Sequence, residues 1–152
     1  MISRKGKKTD RTVLMENCIY DYFHKEYGID LETEVKLPDR TVPDFMQIIE
    51  NNKKYVDIIV VEVKQAATDF YTGHGLNFVG SSNYLAVPSE LVGFAIEFLR
   101  NNEKDYVGVI EVTDKGLVRT VTYPRTVQCE YMDKFTPVKY FLTPYHLREK
   151  VG

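Results

Sequence analysis

The 152-residue chain has no tryptophan, only two cysteines, only three histidines and no long apolar run. The missing tryptophan decides nothing; the other scarcities exclude whole classes of function. Cys18 and Cys129 form neither a CxxC pair nor a disulfide framework. With no signal peptide in view, the reading is two free thiols in a reducing cytoplasm. His24 and His146 offer no metal-ligand spacing, and no Ser or Cys triad can be assembled. Nothing approaches the ~20 apolar residues that span a bilayer, so no membrane partner is expected. "GHGLN" has two glycines but lacks the spacing of a phosphate loop. Repeats, low-complexity tracts and linkers are absent too, which predicts one domain over residues 1–152.

What is present is an ordinary globular composition, 43% hydrophobic and 28% charged, with a net charge of −2. The charge is uneven. Arg4, Lys5, Lys7, Lys8 and Arg11 face a single acid, Asp10, in the first eleven residues. Residues 1–9 therefore read as a basic, flexible tail that can touch phosphates, although a short basic end also serves solubility alone.

Thr9 or Asp10 can cap a helix that ends near Gly28, with Val13, Leu14, Cys18, Ile19 and Phe23 as its apolar stripe. "IDLETEVKL" alternates like a strand, "PDR" turns the chain, and "TVPDFMQIIE" reads as a second strand. After the polar turn "NNKK" comes "YVDIIVVEVKQ", the segment richest in β-branched residues and the expected central strand. "AATDFYTGHGLNFVGSSN" predicts a short helix or extended loop, and "YLAVP" a fourth strand. Ser89 then caps a helix with Leu91, Phe94, Ala95, Phe98 and Leu99 on one face, and "YVGVIEVT" and "LVRTVTYP" form a hairpin. The C-terminal stretch from Met132 mixes aromatics, prolines and charges and suits a strand and a last helical turn. The order α-β-β-β-α-β-α-β-β is that of a single α/β domain around a mixed sheet.

The chemistry concentrates at the end of the third strand. Glu62 and Lys64 are two residues apart, so they share one face of it. On the preceding strand, Asp44 is separated from Glu62 by 17 residues, the spacing of a hairpin that returns to its starting level. Two carboxylates brought that close repel unless a divalent cation lies between them, and hard oxygen donors suit Mg²⁺. A lysine beside them can orient a water and steady charge on a phosphate. Taken singly, Glu-x-Lys on a strand is usually a solvated ion pair. The combination on successive hairpin strands is what favours phosphodiester hydrolysis.

The segments "VPDF" and "VVEVKQ" together resemble the signature of the PD-(D/E)xK nuclease superfamily, Pro43-Asp44 and Glu62-Val63-Lys64 matching its two halves. Over residues 10–112 the order of elements is similar to that superfamily's α-β-β-β-α-β core. "EVKQAATDF" followed by "FVGSSNYLAVP" is similar to its MmcB-type DNA-repair branch. The resemblance implies a restriction-endonuclease-like fold, a mixed sheet flanked by helices. It implies Asp44 and Glu62 as metal ligands with the Val63 backbone carbonyl, Lys64 as catalytic lysine, and Mg²⁺ as cofactor with Mn²⁺ able to substitute. Glu16 on the first helix matches a further acidic ligand, with Glu34 as a lesser rival; an exposed helix glutamate is its ordinary alternative. Gln65, Asp69, Tyr71, His74, Lys53 and Lys54 are candidate substrate contacts. Asp69 equally suits a helix cap, and His74 a solvated loop position.

The expected function is a divalent-metal-dependent DNA endonuclease of repair, recombination or mobile-element biology, with DNA as partner and a homodimer as a further option. The alternative is a catalytically inactive module of the same fold that binds nucleic acid or a protein.

Overall fold

The computed structural model describes residues 9–35, 42–50, 56–71 and 76–128. The expected basic tail, Cys129, His146 and the C-terminal strand and helix lie outside the described residues, apart from Thr9.

Among the described residues, five strands form one mixed sheet in the order β1-β2-β3-β4-β5: β1 (Phe45–Glu50), β2 (Val56–Val63), β3 (Ser82–Pro88), β4 (Gly108–Val112) and β5 (Val118–Thr122). β1 and β2 are antiparallel, β2, β3 and β4 run parallel, and β5 returns antiparallel to β4. The middle strand is therefore β3, and the strand expected at the centre, β2, lies second from the edge. β3 earns that place by composition, being buried at every position from Asn83 to Pro88.

α1 (Asp10–Tyr27) covers one face. Thr9 caps it, its hydroxyl accepting the Thr12 N–H, and Gly28 ends it in the left-handed conformation at φ 65°. The buried stripe is Met15, Ile19 and Phe23, with Leu14 left 55% exposed. Three consecutive apolar residues, Val13 to Met15, left the phase of the stripe ambiguous in sequence, and Met15 takes the inward position. This stripe packs on Phe45, Ile59, Val61, Val63, Tyr84, Ala86 and Ile110.

α2 (Val92–Asn101) covers the opposite face, with Ala95 and Leu99 against Leu85, Val87, Val107 and Val109. Its entry is a 3-10 turn, Ser89–Leu91. Ser89 does not cap α2; its hydroxyl bonds the Glu111 carboxylate, which Arg119 also holds at 2.6 Å.

Of the expected first strand, residues 29–37, the described part to Val35 holds an isolated antiparallel bridge in which Glu32 and Met46 exchange backbone bonds of 2.8 and 2.9 Å, and residues 36 and 37 lie outside the described residues. Leu31 packs on the α1 side, whereas Val35 packs with Met46, Ile48, Ile58 and Val60 on the other. In a regular strand these two residues would share a face. Glu34, at φ 59°, redirects the backbone between them, so this segment wraps around the edge of the sheet beside β1.

The start of β3 is tied to β2 by buried polar groups. Ser81 Oγ accepts the Ile58 N–H at 2.8 Å, and the Asn83 side chain bridges both backbone groups of Gly80. A Cβ on Gly80 would lie 2.5 Å from the Ile58 carbonyl oxygen and 2.9 Å from Val60 Cγ2. Gly80→Ala is accordingly expected to destabilise the fold by about 1–3 kcal/mol, as overpacking does. Urea unfolding checks it: the midpoint should fall with the slope unchanged. Among the described residues no helix is long and apolar enough to cross a membrane.

Candidate functional site

The hairpin register aligns Phe45 with Val61 and Met46 with Val60. One further step places Asp44, just before β1, across from Glu62. Alternation along β2 decides which face they occupy. Ile59, Val61 and Val63 pack under α1, so Glu62 leaves the sheet on the other face, with Ile58 and Val60. Leu85, aligned with Glu62 on β3, packs there against the α2 side.

Glu62 is 2% exposed, and among the described residues its Oε1 has no hydrogen-bond partner. Burial pushes its carboxyl well above the usual carboxylate range. The negative charge of Asp44 and a side-chain hydrogen bond between the two carboxyl groups add to the rise, and the Lys64 ammonium works against it. Asp44 is oriented by the Val63 N–H, which donates to its Oδ2 at 2.8 Å. Lys64 continues the parallel ladder through its own N–H, 3.0 Å from the Ala86 carbonyl. Asp44, Glu62 and Lys64, singled out from sequence, thus meet at one end of β2.

The donor set can be weighed chemically. Two carboxylates and the exposed end of a strand, where Val63 carries a backbone carbonyl, provide hard oxygen ligands. A buried carboxylate oxygen without a proton donor is the group a cation would satisfy, so these residues fit a small divalent ion. Among the described residues, no group of three or more His, Cys, Asp or Glu side chains is arranged for a metal. Glu16, the further candidate ligand, is on the buried side of α1. It is 2% exposed and lies with Met15, Ile19 and Phe23 beneath α1, on the face that Glu62 leaves. Glu34, its rival, sits in the wrap at the sheet edge rather than on a strand.

The residues after the motif divide their work. Gln65 Oε1 accepts the Thr9 hydroxyl at 2.8 Å, which ties the end of β2 to the start of α1. Asp69 closes a 3-10 turn, Ala67–Tyr71: its Oδ2 accepts the Ala66 N–H at 3.2 Å while its own N–H reaches the Ala66 carbonyl. That is the capping role open to it from sequence. Tyr71 stands 71% exposed at the end of the turn. His74, Lys53 and Lys54 lie outside the described residues.

Sequence reasoning did not single out the aromatic surface beside this turn. Phe70, Tyr71, Phe94 and Phe98 converge there, with ring centroids 5.0–6.3 Å apart. The signal available was the "DFY" triplet after the motif, read together with Phe94 and Phe98 one turn apart on α2.

Comparison with known proteins does not extend this picture: no family model matches the chain, and neither a curated protein nor a solved structure is significantly similar to it.

Proposed function

We propose that this chain is a divalent-metal-dependent DNA endonuclease with its active site at the end of β2. The observation that carries the proposal is the pairing of Asp44 with Glu62, a buried carboxylate with an unpartnered oxygen, beside Lys64. Burying a carboxyl group against a second carboxyl group costs stability. A site that binds a cation and then a phosphodiester gives the cost a purpose.

In this reading Asp44 and Glu62 would hold the cation with the Val63 carbonyl. The bound ion would act as a Lewis acid toward the scissile phosphate and lower the pKa of a bound water. Lys64, on the same face as Glu62, donates to a nonbridging phosphate oxygen or orients the water, and its positive charge offsets the charge that develops during attack. The Val63 N–H keeps Asp44 turned toward Glu62 throughout. Gln65, held by Thr9, fixes the segment that carries Lys64. Repair, recombination and mobile-element biology are settings in which such an enzyme would work.

The test is incubation of the purified protein with Mg²⁺ or Mn²⁺ and a panel of single-stranded, duplex, flap and junction DNA. Cutting or nicking of at least one substrate is expected, and it should disappear in chelator. If no substrate is cut, or if Asp44→Ala and Lys64→Ala cut as well as the parent, the chain is instead a binding module with a nuclease-like arrangement.

A further inference from the structure

We infer that the groove between Tyr71 and α2 is a stacking subsite for an unpaired nucleobase, so that the substrate is DNA with a single-stranded segment. This inference rests on the nuclease reading above. The groove has a volume of about 480 Å³ and is lined by Phe70, Tyr71, Phe94, Phe98, Glu97 and Asn101, with Asn102 at its end. That volume is in the range of sites that enclose small organic groups.

Its construction is that of an aromatic platform with polar edges. Phe70, 3% exposed, forms the floor, packed edge-on against Phe94 and Phe98 at 5.1 and 5.0 Å. Phe94 and Phe98 lie nearly parallel, 26° apart, and are only partly buried. Tyr71 stands over them with both centroids at 6.3 Å and 71% of its surface in water. A lone exposed aromatic needs no explanation, but one exposed as part of a four-ring cluster is a surface that gains by being covered. Base faces cover such a surface without regard to sequence, because every base has a π-face. Glu97 and Asn101 at the rim supply acceptor and donor groups for base edges.

The position points to the same substrate as the candidate active site. The 3-10 turn carrying Phe70 and Tyr71 begins three residues after Lys64. Leu85, which packs with Phe70 and the α2 residues, is the β3 partner of Glu62, so groove and carboxylate pair share one face of the sheet. From Phe94 to Asn101 the helix rises about 10 Å, room for one or two bases. In a continuous duplex the base faces are stacked on each other and unavailable, which is why the occupant is an unpaired base.

The test measures binding in chelator, so that cutting does not interfere. A fluorescent oligothymidylate and an abasic strand of the same length are titrated by anisotropy against the parent, Tyr71→Ala and Tyr71→Trp. Tyr71→Ala is expected to weaken oligothymidylate binding by about tenfold or more, the range that stacking one base is worth. Binding of the abasic strand should be unaffected, and Tyr71→Trp should bind oligothymidylate like the parent. The inference is overturned if the parent does not bind oligothymidylate, if Tyr71→Ala binds it as the parent does, or if both strands lose affinity equally. Cleavage assays keep the two readings apart. A parent that cuts DNA with binding indifferent to Tyr71 removes the subsite alone, and base-dependent binding without any cutting removes the nuclease alone.

Discussion

Glu62→Gln is expected to make the metal-free protein more stable at neutral pH while removing its DNA cleavage. The carboxyl it replaces is buried, faces Asp44, and carries an oxygen with no partner. An amide of the same shape cannot ionise, and its N–H₂ can donate to Asp44. Relieving an unsatisfied buried group is worth about 1–3 kcal/mol. In a chain of this size each kcal/mol moves the melting temperature by about 2–4 °C.

The pH dependence follows from the direction of the shift. The proton affinity of Glu62 is higher in the folded state than in the unfolded chain, where its pKa takes the ordinary value of 4.5. The folded state therefore holds a proton that the unfolded state releases first. The stability this provides is complete below the ordinary value and is lost as pH rises from there through the raised one. Parent and Glu62→Gln should melt at similar temperatures in acid and diverge toward neutral pH, the variant higher. Adding Mg²⁺ should raise the melting temperature of the parent and leave the variant unmoved, because a ligand that binds only the native site stabilises it by mass action. Thermal melts in chelator and in Mg²⁺ across that pH range decide the matter. A variant less stable than the parent in chelator would mean that Glu62 is satisfied by the fold itself.

Lys64→Ala should lower the single-turnover cleavage rate by about 10²–10³-fold, the usual loss when one charge-stabilising donor is removed from a reaction centre. Alanine retains the backbone N–H bond from this position to Ala86, so the end of β2 keeps its ladder. Removing the ammonium also removes the nearby positive charge that lowers the proton affinity of Glu62. The pH at which cleavage switches on should therefore rise in Lys64→Ala. A purely structural lysine would leave that pH profile where it was. Measured rates within about tenfold of the parent would place Lys64 outside the reaction.

The parts of this molecule legible in sequence were those governed by local pattern. Thr9 and Gly28 marked real boundaries, and the β-branched run from Val56 to Val63 formed a strand. That Asp44 falls near the end of β2 was readable from the 17-residue spacing, while the register that sets it across from Glu62 came from the structure. What escaped was set by the tertiary environment. Residues 29–37 alternate as a strand should, yet Leu31 and Val35 serve two cores on opposite faces, and no local pattern encodes a chain turning over an edge. The burial of Glu16 was not readable, because sequence gave no means of choosing among three adjacent apolar residues for the inward phase of α1. The aromatic groove joins a turn after β2 to a helix after β3, a contact that only the completed crossover creates.

The wrap at the sheet edge has a consequence for association. β1 reads "FMQIIE", an apolar strand of the kind that recruits another strand when its outer backbone groups are open. The Glu32 bridge occupies Met46 on that outer side, using both of its backbone hydrogen-bonding groups. At the other edge β5 carries Arg119, which projects a charge and is held by Glu111. A second copy extending this sheet by strand addition would have to displace the Glu32 bridge or stack against that charge. The fold guards itself at its margins against becoming the template for a fibre.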